Sequence, residues 1–162
     1  MNEFVAYTNK EIVDEFGIEG SKIAYYSNKG IVAPSVHAGK GKGSNRLYSK
    51  MDVVKLLLVK ELGKHGLSLE QIKKVLADIS TEEQDKVLDP AQGKDHIVIL
   101  GIYDQASDEM RARAVAMPHP EKYPDKFEEF SELEIDLLTH SSAMVMNITP
   151  ILQEVDSAER VH

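Results

Sequence analysis

A mainly α-helical fold with one small β-hairpin is what this sequence predicts, on three observations. Capping residues and glycine stops bracket short amphipathic segments between residues 8 and 79. A Gly/Lys-rich loop separates two short β-prone runs between residues 31 and 48. Apolar residues then recur at alternating spacings of three and four from His96 to Met117, interrupted only by Arg113.

Taken in order, Thr8-Asn9-Lys10-Glu11 has the spacing of a capping box, in which the Thr oxygen accepts from a free amide and the Glu reaches back to the cap. Ile12, Val13 and Phe16 give the first helix an apolar face, and Gly17 ends it. A second short helix runs from Ser21 to Asn28 and stops at Gly30, which makes a helix-turn-helix. Ile31–His37 and Arg46–Tyr48 flank Ala38–Asn45 and read as a hairpin. Ser49-Lys50-Met51-Asp52 caps a third helix that reaches about His65, where Gly66 breaks it. Ser68-Leu69-Glu70-Gln71 is a further capping box, followed by Leu69, Ile72, Leu76 and Ile79 at helical spacing.

A linker at 81–94 follows, with a short helix over Glu82–Leu88 and a close at Asp89-Pro90 and Gly93. His96, Ile99, Tyr103, Ala106, Met110 and Met117 then form a coiled-coil-like seam, so a long dimerisation helix is expected over 95–117. Gly101 sits on its flank, and the rival reading is a buried strand over Ile97–Tyr103 with a helix from Ser107. Pro118-His119-Pro120 ends this element. Phe127, Phe130, Leu133, Leu137 and Met144 mark an amphipathic helix, and Thr149-Pro150 starts another. Residues 118–162 thus read as a helical effector or interaction region.

Composition excludes several classes. The chain has 162 residues and no cysteine, which removes disulfides, thiolate nucleophiles and thiolate metal or cluster sites. No apolar run approaches a membrane span, and the first ten residues lack the pattern of a cleaved signal, so a cytoplasmic protein without a membrane partner is expected. No phosphate loop follows a strand, and no nucleophile elbow or paired helical histidines occur, so an enzyme is not expected, nor any cofactor. His96, His119 and His140 lack the close spacing of metal ligands. The net charge of −8 is unevenly placed: residues 1–80 carry 12 basic and 9 acidic side chains, residues 81–162 carry 7 and 18. A basic half joined to an acidic one points to a polyanion for the first half.

Four separated motifs carry a resemblance: Tyr25-Tyr26, Gly30-Ile31-Val32-Ala33-Pro34, Arg46-Leu47-Tyr48-Ser49, and Gly66-Leu67-Ser68-Leu69-Glu70-Gln71-Ile72. In this order and spacing, residues 6–80 resemble the MerR-like family of bacterial transcription regulators. The resemblance implies a winged helix-turn-helix DNA-binding domain over 1–80 and a homodimer held by a long antiparallel helix pair. It also implies action on pseudo-palindromic promoter DNA, which family members bend and untwist so that RNA polymerase can use it. The expected DNA-contacting residues are Thr8, Ser21, Lys22, Tyr25, Tyr26, Lys40, Lys42, Arg46 and Tyr48, with Tyr26 favoured for a phosphate and Tyr25 for packing. Arg46 suits a bidentate phosphate grip.

Two positions depart from the family: its arginine before the tyrosine pair is Ala24 here, and its acidic residue after the pair is Ser27. Lys40 and Lys42, on glycine hinges, are expected to grip phosphate in place of the arginine that Ala24 replaces. Residues 95–162 carry no comparable resemblance. They are expected to receive an effector without cysteine, either a small molecule in a pocket lined by methionine and aromatic residues or a protein. An effector-less architectural factor of the excisionase kind is the alternative, and the long second half argues against it.

Overall fold

The computed structural model describes residues 5–40, 45–82, 88, 96–104, 109–117 and 142–159. They form two compact units: residues 1–72 together with 153–162, and residues 73–152. The division falls inside a helix, not within the 81–94 segment.

In the first unit β1 (Ala6–Thr8) leads directly into α1 (Asn9–Phe16). The capping box is present as the sequence implies. Thr8 Oγ1 accepts from the Glu11 amide at 3.3 Å, and Glu11 Oε2 accepts from the Thr8 amide at 2.6 Å. Gly17 closes α1 at φ 62°, a left-handed conformation that a residue with a Cβ adopts only under strain. Then come α2 (Gly20–Asn28), β2 (Leu47–Ser49) and α3 (Lys50–Lys64). Ile12, Phe16 and Ile23 face inward, and the Phe16 ring meets Tyr7 edge-on at 5.7 Å.

The hairpin expected between 31–37 and 46–48 is reduced to a single bridge, His37 to Leu47. The returning strand β2 instead pairs antiparallel with β1, Tyr7 opposite Tyr48. Ala6–Thr8, of which the sequence pattern claims only the Thr8 cap, thus supply the partner strand. The wing's first arm is held by a buried carboxylate. Asp52 Oδ2 accepts from the Ser35 amide at 2.8 Å, the Ser35 hydroxyl at 2.6 Å and the Ser49 amide at 2.8 Å. The same residue completes the capping box of α3.

Helix α4 (Leu69–Asp78) begins at the predicted Ser68–Gln71 box, with reciprocal bonds of 2.9 and 3.3 Å. Its start agrees with the sequence pattern, whereas the next segment departs from it. Residues 96–117 form no long helix: β3 (His96–Asp104) and β4 (Glu109–Met117) make an antiparallel hairpin, and β5 (Ser142–Asn147) flanks β3 on its other side, in the order β4-β3-β5. The expected dimerisation seam is therefore corrected. His96 pairs with Met117 and Tyr103 with Met110 across the hairpin, while Ala106 lies outside the described residues. The strand half of the rival reading, Ile97–Tyr103, is present; a helix from Ser107 is not, because Glu109–Met117 is strand.

The physical reason lies in composition and period. Ile97–Tyr103 is rich in β-branched residues with a glycine, the composition of a central strand with neighbours on both sides. In β4 the period is two: Arg111 and Arg113 are exposed, Ala112 is half-buried and Ala114 buried. Arg113, which interrupts the heptad count, is the solvent-facing half of that alternation. Asp78 Oδ2 accepts from the Ala112 amide at 2.9 Å and so covers part of β4's outer edge.

Met144, assigned to a helix from the sequence, lies in β5; the rest of that proposed helix and most of the 82–88 segment lie outside the described residues. The last helix, α5 (Thr149–Glu159), starts one residue early, with Asn147 Oδ1 accepting from the Thr149 amide at 3.1 Å. Within the first unit its Asp156 meets Lys50 at 3.5 Å. Among the described residues no helix is long and apolar enough to cross a membrane.

Candidate nucleic-acid interface

Burial of Ile23 fixes how α2 is rotated. With Ile23 inward, Ser21, Lys22, Tyr25, Asn28 and Lys29 are left exposed, at the spacing of one helix face. Tyr25 is 43% exposed, edge-on to Tyr26 at 5.9 Å, and the Lys29 ammonium stands 5.9 Å from its ring centroid. Lys22 pairs with Glu19 at 3.7 Å. Both side chains are well exposed, so this pair is weak and Lys22 is readily redirected to a phosphate. No side chain caps the α2 N-terminus.

The wing adds one cationic group beside this face. The Arg46 guanidinium donates to Asn28 Oδ1 at 3.2 Å, which ties the returning arm to the end of α2. One such bond leaves further N–H groups on the guanidinium for another acceptor. Lys40 is exposed on the outgoing arm; Lys42 lies outside the described residues.

Other predicted contacts fall elsewhere. Tyr48 is fully buried opposite Tyr7, so it is a core residue and cannot touch DNA. Its phenol is pushed up from the ordinary value by burial, and Ser27 and Arg46 nearby pull it only partly back. The Tyr48 hydroxyl is buried without a well-formed hydrogen bond. The hydroxyl of Thr8 is taken up by the α1 cap, where it also donates to Glu11 Oε2 at 2.8 Å. Of the two tyrosines, Tyr25 is the exposed one and Tyr26 is half-buried.

Sequence reasoning missed Lys29 and Asn28. Lys29 stands four residues after Tyr25, a spacing that signals a shared face. No local signal marks Asn28, whose value depends on Arg46 arriving from the wing. Among the described residues no three of His, Asp or Glu converge as metal ligands; His119 and His140 lie outside them.

Residues 7–79 match the family model described as MerR HTH family regulatory protein. An HTH-type transcriptional regulator of Mycobacterium tuberculosis is 35% identical over 72 residues, 44% of this chain and 32% of that protein. The HTH-type transcriptional regulator GlnR of Bacillus cereus is 37% identical over 65 residues, 40% of this chain and 47% of that one. The chain thus spans about a third to a half of the curated relatives it matches. A crystal structure of a MerR family transcriptional regulator from Bacillus cereus is similar over 97% of this chain at 15% identity, with a TM-score of 0.41, too loose a likeness to constrain the fold.

Proposed function

We propose that this protein, whose residues 7–79 form a MerR-type helix-turn-helix domain, is a transcription regulator that binds double-stranded promoter DNA as a homodimer and bends and untwists it. RNA polymerase is then its indirect partner. The unit built on β3, β4 and β5 receives the effector, a small molecule or a protein, and the protein acts in the cytoplasm. One observation carries the reading: the exposed α2 face of Ser21, Lys22, Tyr25 and Lys29 lies beside an Arg46 that is hydrogen-bonded to the end of the same helix. That face suits the major groove, and Arg46 suits the flanking phosphate. Lys40 and Lys42 on the wing offset the arginine absent at Ala24. Two copies are invoked because one α2 reads one half-site, and pairing sets two of them a helical turn or a multiple apart.

Footprinting on the DNA upstream of the protein's own gene tests this. Two protected half-sites are expected, with enhanced cleavage between them where the duplex is distorted. Arg46→Ala is expected to weaken binding by about 1–3 kcal/mol with little dependence on sequence, because a phosphate contact positions without specifying. An unchanged affinity and salt slope in Arg46→Ala would refute the wing's role.

A further inference from the structure

We propose that the last two turns of α5 are a clasp on the DNA-binding unit, whose docking holds the wing steady for DNA and gives the unit of β3, β4 and β5 control over that binding. The inference rests on the DNA-binding reading and adds its regulation. Asp156 of α5 meets Lys50 of α3 at 3.5 Å, across 106 positions of sequence. Each side chain is only 21% exposed, so the pair is better shielded from water and salt than one on an open surface. Val155, next to Asp156 in α5, is fully buried, and Phe16 of α1 and Ala158 of α5 line one groove. Residues 153–162 accordingly belong to the same compact unit as residues 1–72.

Lys50 is the first residue of α3 and stands between Ser49 and Asp52, the two members of its capping box. The Asp52 carboxylate also accepts from the Ser35 amide and hydroxyl, on the wing's first arm. A docked Asp156 therefore steadies the turn from which the wing is hung. At its other end α5 springs directly from the sheet. Ile148 alone separates it from β5 and is fully buried, and Asn147 of β5 accepts from the Thr149 amide at 3.1 Å. Residues 149–152 belong to the second unit and 153–159 to the first, so one continuous helix is shared by both. With so short and buried a junction, a rearrangement of β5 is passed on as a movement of the helix and is not absorbed by a loop.

Asp156→Asn tests the clasp, because it and general electrostatics predict opposite changes. Removing a negative charge favours a polyanion, so charge alone predicts tighter binding. Loss of the clasp loosens the wing and predicts weaker binding. The full chain is titrated onto a fluorescent random-sequence duplex about three helical turns long, at several salt concentrations. Hydrogen exchange is followed at the Ser35 and Ser49 amides, both bonded to Asp52. Asp156→Asn is expected to weaken binding about fivefold and to speed exchange at both amides. Glu154→Gln, the same charge change at an exposed position of α5, should bind as the wild type does or slightly more tightly. Lys50→Glu with Asp156→Lys re-forms the pair with its charges exchanged and should return binding to within about twofold of wild type. If Asp156→Asn binds as Glu154→Gln does, the clasp is overturned while the DNA-binding reading stands. Weaker binding without faster exchange at Ser35 and Ser49 overturns it too, as does an exchanged pair that binds no better than Lys50→Glu alone. If the wild type shows no salt-dependent binding at all, the DNA-binding reading itself fails, and the clasp's control of it as well.

Discussion

Tyr48 and Arg46 are two residues apart, yet burial gives them opposite roles. Arg46 stands just before β2 and reaches the end of α2, whereas Tyr48, the middle residue of β2, is buried opposite Tyr7. The Tyr48 hydroxyl is buried without a well-formed hydrogen bond, a cost that phenylalanine avoids. Tyr48→Phe is therefore expected to hold or raise stability in urea titration, with losses no greater than about 0.5 kcal/mol. The pH dependence has a definite sign. The folded-state phenol titrates above its unfolded value of 10.0, so the protonated form is favoured in the folded state. Its stabilisation is present below that pH and is lost as pH rises through the higher folded value. Alkaline unfolding should be less steep in Tyr48→Phe than in the wild type. An unaltered alkaline profile would show that another group sets it.

Elements here are held by a few polar ties. Asp52 joins the wing's first arm to the start of α3 through Ser35 and Ser49. Asp52→Ala removes the α3 cap, worth about 0.5–2 kcal/mol, and orphans part-buried donors at about 1–3 kcal/mol each when desolvated. A loss of about 2–4 kcal/mol in denaturant titration is expected, together with weaker DNA binding from a loosened wing. The sheet offers a second test. Ala114 is 4% exposed, so Ala114→Arg places a long charged side chain against its inward face. That change should destabilise by more than about 3 kcal/mol. Arg111, 81% exposed and paired with Glu109 at 3.5 Å, should tolerate Arg111→Ala within about 0.5 kcal/mol. Similar effects at positions 111 and 114 would contradict the period-two strand.

Over the full chain, a protein of net charge −8 is proposed to bind a polyanion. Segregation resolves the conflict, because the basic excess lies within residues 1–80 and the screening length at physiological salt is only about 8 Å. Binding to duplex DNA should weaken steeply with salt, by about 0.9 log units per log unit of salt for each phosphate neutralised. A flat salt profile would contradict the electrostatic reading. The corrected second half changes what a disruptive variant does. Ile99→Asp with Met110→Asp, two changes in paired strands of one sheet, should unfold that sheet and lower β-signal in circular dichroism. A helical seam would instead have dissociated into folded protomers.

Elements whose signals are local follow from the amino-acid order alone. Thr8, Ser49 and Ser68 with their partners three residues on mark three helix starts, and Gly17 marks a stop; each works within one helical turn. Three matters depend on the assembled fold. The partner of β2 is β1, more than thirty residues away, and no local pattern announces it. The exposure of Tyr25 rather than Tyr26 depends on which face Ile23 buries. Whether 96–117 is helix or hairpin is decided by pairing. Spacings of three and four fit a coiled coil as well as residues that happen to alternate, and β3 becomes a central strand only because β4 and β5 satisfy its backbone on both sides.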